Sequence, residues 1–467
     1  MIDTSLSSRE MSSRSVTIIT VRVRPRFEIA VGRMVNDIDT NRPHWWAKMF
    51  KPKSFSTPST SKLQLLASRE SLRHSAREVS RLRVTNSTPH TQAANLLWQL
   101  EGVKSELVDH YSIMVGASRE NNARNRYADI VPYDRTRVIV QWPLTDAETD
   151  EEGDRKGRYL NANWVLERQG QKWWIATQAP LRQTAHAFLS LILQPNVCPP
   201  SALLSSHSDD IPEPAKSSRL RTVVQLTQDI ENGRRKADSY FPSEVGTSFL
   251  IPPEAGCDAP SLKVTLLATK SIEQAHCIQS TVSILPIYPP QRVDDDTTEE
   301  IDSNNATDDE EAVFQHLLYF SWPDHGVPNP QDRESLLAFI QLVESTNRDI
   351  SLCTPPHAEA SCTVLDPDPP IVVGCSAGIG RTGSYIALSS LLRASGHLPP
   401  SSKPTPSSVL PASPLGPIPS DADNDMVVQE IDSLREQRPG MVQRAEQAVL
   451  IYNVLADVNA SKQNLKS

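Results

Sequence analysis

The sequence predicts an α/β fold in which a mixed β-sheet is flanked by helices, and three observations lead to this prediction. Short apolar runs are separated by turn residues, as in the strands of a sheet. Longer stretches carry apolar residues at helical spacing. One segment, IVVGCSAGIGRTGSYIAL at residues 371–388, passes from an apolar run through a glycine-rich turn into a helical pattern.

The elements follow one another along most of the chain. The predicted strands are RVIVQW (137–142), YLNANWVL (159–166), KWWIATQA (172–179), RTVVQLT (221–227), SLKVTLLAT (261–269), TVSILPIY (281–288) and VFQHLLYFSW (313–322). The predicted helices are 91–115, AFLSLILQ (187–194), SLLAFIQLVEST (335–346), SYIALSSLLRAS (384–395) and the stretch 426–457.

Polar, proline-rich segments interrupt this pattern. Pro makes up 37 of the 467 residues and apolar residues 38%, so parts of the chain bury too little surface to order themselves. We expect a basic, disordered arm at 1–90, a folded domain at 91–460 and a tail at 461–467. The arm contains SVTIITVRVRPRFEIAV, which alternates like a strand but has no partner strand. Insertions are expected at about 195–218, 293–312 and 396–425, the last as a mobile loop.

Charge and cysteine usage limit the classes of function. The net charge is −9, yet the arm holds 16 Lys and Arg against 7 Asp and Glu. Such an arm could contact an acidic membrane surface, nucleic acid or a docking groove, but a solvated tail is the ordinary explanation. We therefore expect no nucleic acid partner, no membrane insertion and a monomer.

Neither a signal peptide nor an apolar run of about 18 residues is present, which predicts a cytoplasmic, and also nuclear, protein with reduced thiols. Cys353, His357 and Cys362 have irregular spacing for metal ligands, so no metal and no cofactor are expected.

The glycine-rich turn at 371–388 contains G-x-G-x-x-G, but two common interpretations of it fail. A dinucleotide site needs an acidic residue about twenty positions later, where this chain has KPTPSS. A nucleotide-binding G-x-x-x-x-G-K-[ST] loop needs a lysine, where this chain has Arg381. The remaining pattern is C-x5-R, from Cys375 to Arg381.

This C-x5-R pattern predicts an oxyanion site. Backbone N–H groups from Ser376 to Arg381 can converge on a tetrahedral anion at a helix N-terminus. Gly378 and Gly380 permit the backbone geometry that this requires. The same positive field favours a reactive thiolate at Cys375, and Arg381 offers a planar fork to two phosphate oxygens.

Several motifs together resemble the classical protein tyrosine phosphatase family, of the non-receptor type. In the family's order, they are ARNRYADIVPYDRTRV (123–138), YLNANWV, WIATQAPL, VVQLTQDIENGRRKADSYFP (223–242), YFSWPDHGVP (319–328), VGCSAGIGRTG and MVQRAEQ (441–447). The resemblance spans about 91–460 and implies the highly twisted mixed sheet of the tyrosine phosphatase fold. It also implies hydrolysis of phosphotyrosine in proteins through a cysteinyl-phosphate intermediate, within intracellular signalling.

The resemblance assigns roles to individual residues. Cys375 is the nucleophile, Arg381 binds the phosphate, Asp324 is the general acid, Thr382 assists the departing thiolate and Gln443 positions water. Substrate-binding positions are Ser376, Ala377, Gly378, Ile379, Gly380, Tyr127, Asp129 and Gln447, where Tyr127 stacks on the substrate ring and Asp129 holds its backbone. In supporting roles, Glu231 orients Arg381, and Lys236 lies near the loop at 319–328 that carries Asp324. Trp322 is the hinge of that loop.

The chain departs from the family at a few positions. Gly374 replaces a histidine, which predicts a higher Cys375 pKa than in relatives and slower turnover near neutral pH. Ala128 and Arg444 replace residues common in relatives, which leaves substrate preference open.

Two functions from different classes remain. One is an active phosphatase, and the alternative is a catalytically weak or silent phosphotyrosine-binding module that uses the same pocket. The expected partners are phosphotyrosine-containing proteins. RLRV at 81–84, after Arg77, resembles a kinase-docking segment, although a chance match accounts for it as well.

Overall fold

The computed structural model describes residues 58–85, 103–141, 157–200, 203, 218–288, 311–324, 326–353, 365–420 and 422–464. All of these residues fall within one compact unit, Ser54–Ser467. None of the helices in these ranges combines the length and the apolarity needed to cross a membrane.

A mixed β-sheet of nine strands lies at the centre of the described part. The strand order across it is β1-β2-β3-β11-β4-β10-β9-β8-β7, and a separate two-stranded hairpin is formed by β5 and β6. The strands are β1 (Arg137–Val140), β2 (Arg158–Leu166), β3 (Trp173–Gln178), β4 (Thr222–Gln225), β5 (Ile230–Glu231), β6 (Arg234–Arg235), β7 (Ser248–Ile251), β8 (Ser261–Ile272), β9 (Cys277–Ile287), β10 (Ala312–Tyr319) and β11 (Ile371–Cys375).

Helices pack on both faces of this sheet. They are α1 (Thr60–Thr85), α2 (Ser105–His110), α3 (Met114–Ala117), α4 (Arg119–Asn122), α5 (Ala185–Leu193), α6 (Arg333–Arg348), α7 (Gly380–Ala394), α8 (Met426–Gln437) and α9 (Ala445–Asn464). Short 3₁₀ turns occur at Asp134–Thr136, Arg182–Thr184, Glu273–Ala275, Pro330–Asp332, Ile350–Cys353 and Ser407–Val409.

The four central strands, β3, β11, β4 and β10, run parallel to one another. All five residues of β11 are buried, as expected for a parallel strand covered on both faces. Because parallel strands end at the same edge of a sheet, the carboxyl ends of β11 and β3 lie together, and Cys375 is paired with Gln178. This edge is where ligands of open α/β sheets bind.

Two apolar clusters cover the two faces of the sheet. Successive residues of a strand point to opposite faces, so Val373 belongs to one cluster and Val372 to the other. The first cluster holds most of the buried side of α7, including Tyr385, and the second holds α5, including Phe188. Helix α7 is buried from Gly380 to Arg393, which fixes its N-terminus at the carboxyl edge of the sheet.

The predicted fold class is confirmed by this architecture, and each of the seven predicted strands is present. The sequence did not indicate β7 or the β5–β6 hairpin. The predicted helix 91–115 corresponds to α2 and α3 in its second half, and its residues 91–102 lie outside the described residues.

The stretch 426–457, predicted as helical with a loop-like motif at 441–447, forms the two helices α8 and α9. Pro439 cannot continue the hydrogen-bonding pattern of a helix, and Gly440 and Val442 have positive φ angles of 66° and 53°. Helix α9 also extends to Asn464, into the segment expected to be a tail.

The expectation of a disordered arm is wrong for residues 60–85, which form α1. Leu66 and Ala76 of this helix are buried, and its arginines form ion pairs with carboxylates that lie more than 350 residues later in the chain. Helix α1 also contains RLRV, the possible kinase-docking segment, in which Arg81 and Arg83 donate to residues of the same domain. The strand-like segment 15–31 and the rest of the arm up to residue 57 lie outside the described residues.

The expectation of a mobile loop at 396–425 is also corrected. Most of this insertion has no regular secondary structure, yet its backbone is held by the folded domain. The carbonyl groups of Pro399 and Pro400 accept hydrogen bonds from Arg393 and Arg348, and that of Gly416 accepts one from Arg69. Most of the insertions at 195–218 and 293–312 lies outside the described residues.

Candidate active site

Cys375 is the last residue of β11, and its side chain is buried at the edge of the sheet. Residues 376–379 then turn into α7, which begins at Gly380. Gly378 has a φ of 71°, and a Cβ at that position would lie 2.1 Å from the carbonyl oxygen of Thr177. Only glycine fits there, so the close packing of the loop against β3 explains this part of the motif.

The pKa of Cys375 is lowered from its ordinary value. Burial acts in the opposite direction and raises it, but this is outweighed by a hydrogen bond from the Thr382 hydroxyl, by the charge of Arg381 and by the backbone N–H groups of Thr382 and Ile379. The Thr382 hydroxyl is buried and has no hydrogen-bond partner of ordinary geometry among the described residues, so it is available to the sulfur of Cys375. The predicted reactive thiolate therefore has a physical basis in this loop.

Arg381 lies at the start of α7 and forms a bidentate ion pair with Glu231 of the β5–β6 hairpin. Its Nη1 donates to Glu231 Oε1 at 2.6 Å, and its Nη2 donates to Glu231 Oε2 at 2.7 Å. Glu231 is held in turn by the hydroxyl of Thr227 at 2.9 Å and by the N–H of Gln228 at 3.1 Å. The arrangement places Glu231 where the resemblance expects it, next to Arg381.

Asp324 faces the same pocket. Its carboxylate lies 3.0 Å from Nζ of Lys236 and 3.5 Å from Nη2 of Arg381, and it accepts a hydrogen bond from Asn232 at 3.2 Å. Arg381 also donates to the carbonyl oxygen of Pro323 at 3.1 Å, so the segment that carries Asp324 rests against the guanidinium. Trp322, the predicted hinge, is buried.

Residues 123–138 are called here the recognition segment, and residues 375–381 the phosphate loop. Tyr127 joins the recognition segment to the phosphate loop. The Tyr127 hydroxyl and Ser376 Oγ are 2.8 Å apart, and Ser376 Oγ also donates to the carbonyl oxygen of Lys236 at 2.8 Å. Tyr127 is half-buried, whereas Ala128 and Asp129 are exposed. The structure therefore places Tyr127 at the pocket wall and Asp129 on its outer rim.

The side-chain amides of Gln443 and Gln447 lie next to Gly380, the first residue of α7. A Cβ built on Gly380 would lie 2.9 Å from Nε2 of Gln447 and 3.4 Å from Oε1 of Gln443. The segment between α8 and α9 is tied to the loop because the N–H of Val442 donates to the carbonyl oxygen of Ile379 at 3.2 Å. A larger residue than glycine at 380 would displace both amides.

Arg438 is a site residue that the sequence did not indicate. It is fully buried behind the loop and donates to the carbonyl oxygens of Gly378 at 2.7 Å and Ala377 at 3.1 Å. It also donates to Asn163 at 2.8 Å and Asn161 at 3.0 Å. By holding loop carbonyls away from the pocket, Arg438 leaves the loop N–H groups to face the anion. Its only signal in the sequence is the RPG triplet that ends α8, which looks like any helix end.

Gly374, where the family resemblance leads us to expect a histidine, lies directly against β3. Its residue pair in β3 is Thr177, and a Cβ at 374 would lie 2.9 Å from the Thr177 carbonyl oxygen. The carbonyl of Gly374 accepts a hydrogen bond from the N–H of Leu226 at 2.8 Å. The thiol pKa is thus lowered by groups other than a neighbouring histidine.

Comparison with known families agrees with this geometry. The family described as "Protein-tyrosine phosphatase" matches residues 121–203 and 215–402, more than half of the chain. The chain belongs to the protein-tyrosine phosphatase family. The matched region includes Cys375, Arg381 and Asp324, and it leaves α1, α8 and α9 outside.

Curated members of this phosphatase family are similar over most of the chain. The non-receptor type 18 tyrosine-protein phosphatase of Mus musculus is 27% identical over 387 residues, which cover 80% of this chain and 60% of that protein. The Lar-like phosphatase of Caenorhabditis elegans is 26% identical over 383 residues, covering 82% of this chain and 12% of that protein. The chain therefore spans at most about three fifths of the length of these relatives.

A solved structure also aligns with this chain. It is described as the basis of the PTPN18 fingerprint on distinct HER2 tyrosine phosphorylation sites. It is 22% identical, covers 79% of this chain and 91% of that chain, and has a TM-score of 0.45.

Proposed function

We propose that this chain hydrolyses phosphotyrosine in proteins through a cysteinyl-phosphate intermediate. One observation carries the proposal. A thiol of lowered pKa, an arginine held in place by a buried carboxylate, and a second carboxylate 3.5 Å from that arginine surround one pocket at the N-terminus of α7. This set supplies a nucleophile, a phosphate-binding cation and an acid for the leaving group.

In the first step, the Cys375 thiolate attacks phosphorus in line with the bond to the tyrosine oxygen. The S–P bond forms and the P–O bond breaks, while Asp324 transfers its proton to the departing phenolate. That proton matters because tyrosine is a poor leaving group, with a pKa near ~10. Arg381 and the N–H groups of the loop stabilise the charge on the phosphoryl oxygens.

In the second step, water attacks the phosphorus of the cysteinyl-phosphate. Asp324, now a carboxylate, accepts a proton from that water, which Gln443 positions. The S–P bond breaks, inorganic phosphate forms and the thiolate is regenerated. The Thr382 hydroxyl donates to the departing sulfur, as its contribution to the lowered Cys375 pKa already indicates.

The depth of the pocket favours phosphotyrosine over the shorter phosphoserine. Tyr127, fixed by its contact with Ser376, is placed to stack on the substrate ring. Asp129 on the rim is placed to accept a hydrogen bond from the backbone of the substrate peptide. We assign the reaction to intracellular signalling, where thiols stay reduced and tyrosine-phosphorylated proteins are the partners.

Three versions of the full chain test this proposal. The wild type should hydrolyse both an aryl phosphate and a phosphotyrosine peptide. Cys375→Ser should lose this turnover and still bind the peptide. Asp324→Ala should slow hydrolysis by about 10²–10⁴-fold and retain bound substrate. Wild-type chain that binds the peptide without any Cys375-dependent turnover would instead establish the phosphotyrosine-binding module.

A further inference from the structure

Four arginines of α1 follow one another at every fourth position: Arg69, Arg73, Arg77 and Arg81. Residues four apart lie on the same face of a helix, so these side chains form one row, called here the arginine ladder. Each of the four donates a hydrogen bond to a residue outside α1. Helix α1 lies outside the matched family region and inside the arm that the sequence predicted as disordered.

The first half of the arginine ladder fixes α1 to α8. Arg69 donates to Asp432 at 3.0 Å, and Arg73 donates to the same carboxylate at 2.7 Å. Both arginines are buried, and Arg73 also pairs with Glu436. Buried, charge-assisted pairs of this kind hold a precise geometry. Because α8 leads directly into Arg438, α1 is anchored to the element that supports the phosphate loop.

The second half of the arginine ladder reaches the recognition segment. Nη1 of Arg77 donates to the hydroxyl of Tyr133 at 2.9 Å, and Tyr133 is fully buried. Nη1 of Arg81 donates to the carbonyl oxygen of Ala128 at 2.8 Å. Arg77 and Arg81 therefore hold the segment from 128 to 133 at both of its ends.

The carbonyl that Arg81 holds belongs to the residue between Tyr127 and Asp129. Ala128 and Asp129 are exposed, so apolar burial does little to fix this part of the segment. A change in the backbone torsions on either side of this carbonyl would shift the positions of the neighbouring side chains. The Arg81 hydrogen bond opposes that change from outside the segment.

We propose that Arg81 is a positioning residue for phosphotyrosine recognition, acting through the Ala128 carbonyl on Tyr127 and Asp129. The inference builds on the proposed function, because it concerns the same pocket. It makes α1 part of the substrate-binding apparatus, linked through the arginine ladder to α8 and the phosphate loop.

The alternative is that α1 only stabilises the fold. Removing Arg81 would then lower the melting temperature without changing how substrate binds. Arg83 provides a matched control, because it lies two positions after Arg81 near the end of α1 and donates to Asp109 of α2 instead of to the recognition segment. Arg81→Lys keeps the charge and a donor at the end of a side chain of similar length.

Equilibrium binding gives a test that does not depend on turnover. The dissociation constant of a phosphotyrosine peptide is measured for full-length Cys375→Ser and for the same protein with Arg81→Ala, Arg81→Lys or Arg83→Ala. We expect Arg81→Ala to weaken binding about three- to tenfold, the effect of one charge-assisted hydrogen bond at a partly exposed site. Arg81→Lys should recover at least half of that loss on a logarithmic scale, and Arg83→Ala should bind like the parent.

Kinetics on the chain with Cys375 intact supply the second readout. Arg81→Ala should raise KM for the peptide by a similar factor, with kcat within about twofold of the wild type, because the reacting groups are untouched. Equal binding by the parent and Arg81→Ala, an equal loss in Arg83→Ala, or a lysine variant no better than alanine would each overturn the inference. Absence of Cys375-dependent turnover would reject the proposed function alone, since the binding comparison stands by itself.

Discussion

Replacing Arg438 by methionine measures how much of the acidity of Cys375 comes from a guanidinium that never touches substrate. Arg438 is fully buried, and no carboxylate of the described residues pairs with it. Burial lowers the pKa of Arg438 to about 10, while the charge of Cys375 acts to raise it. The same attraction must stabilise the thiolate, so loss of the guanidinium raises the pKa of Cys375.

Arg438→Met removes the donor from four oxygen acceptors, the carbonyl groups of Ala377 and Gly378 and the side-chain amides of Asn161 and Asn163. Each acceptor that stays buried without a donor costs about 1–3 kcal/mol. The variant also no longer holds a charge in the interior, where burial lowers the pKa of Arg438, and this offsets part of the loss. The free energy of unfolding should therefore fall, while the pKa of Cys375 rises.

The assay is the rate at which iodoacetamide alkylates Cys375, followed by mass spectrometry from pH 4 to pH 9. Below the pKa, a higher pKa lowers the thiolate fraction, so Arg438→Met should react more slowly than the wild type in the acid range and equally fast at high pH. Arg435→Met is the matched control, because Arg435 is also buried in α8 but donates to Met441 and Val442. An unchanged midpoint in Arg438→Met, or the same shift in the control, would refute the reasoning.

Three further predictions concern single side chains. Glu231→Gln keeps the shape of the partner of Arg381 but removes its charge, so kcat/KM for an aryl phosphate should fall about 10–100-fold, and an unchanged value would contradict the assigned role. Burial raises the pKa of Glu430 to about 8 from an ordinary 4.5, so the folded protein keeps this proton at pH values where the unfolded chain loses it. The contribution of the proton to the free energy of unfolding is therefore complete below pH 4.5. It is lost at about 1.4 kcal/mol per pH unit as the pH rises toward 8. Urea unfolding across this range should show that the free energy of unfolding of Glu430→Gln increases relative to that of the wild type as the pH rises. A difference that stays constant with pH would exclude the effect. Gly374→Ala places a Cβ 2.9 Å from a backbone oxygen of β3 and should lower the free energy of unfolding by about 1–3 kcal/mol in the same assay. A variant as stable as the wild type would show that β3 moves aside without cost.

The strands and the phosphate loop could be predicted because their signals are local. An apolar run such as the one in β11 is buried wherever it lies in a parallel sheet, and the glycines that follow it reflect the packing of the next few residues. Position within a motif was enough to assign Cys375 and Arg381. The pairing of Arg381 with Glu231 spans 150 residues, and only the resemblance to a family indicated it.

Helix α1 and Arg438 escaped prediction for a common physical reason. An arginine looks the same in a sequence whether it is solvated or buried, and its burial depends on partners elsewhere in the chain. Arg73 and Asp432 are separated by 359 positions in the sequence, and Arg438 meets loop carbonyls 60 and 61 positions earlier. A helix stabilised mainly by such ion pairs carries a weak apolar pattern, so its composition suggested a disordered arm.

The placement of carboxylates around the loop separates the tasks of its two arginines. Arg381 faces the pocket and is balanced by Glu231 and, at 3.5 Å, by Asp324, so its charge is largely compensated until a phosphate enters. Arg438 lies behind the loop, where carbonyl and amide oxygens are its partners and its charge is not neutralised. The charge of Arg438, which no carboxylate of the described residues balances, acts on the sulfur whether or not substrate is bound. The guanidinium of Arg381, which Glu231 holds in place, is oriented to bind an incoming phosphate dianion. Both charges favour the thiolate, that of Arg381 as a cause of the lowered Cys375 pKa and that of Arg438 from behind the loop, so changes at either arginine should raise the thiol pKa. The affinity for phosphate should respond more to changes at the Glu231 and Arg381 pair.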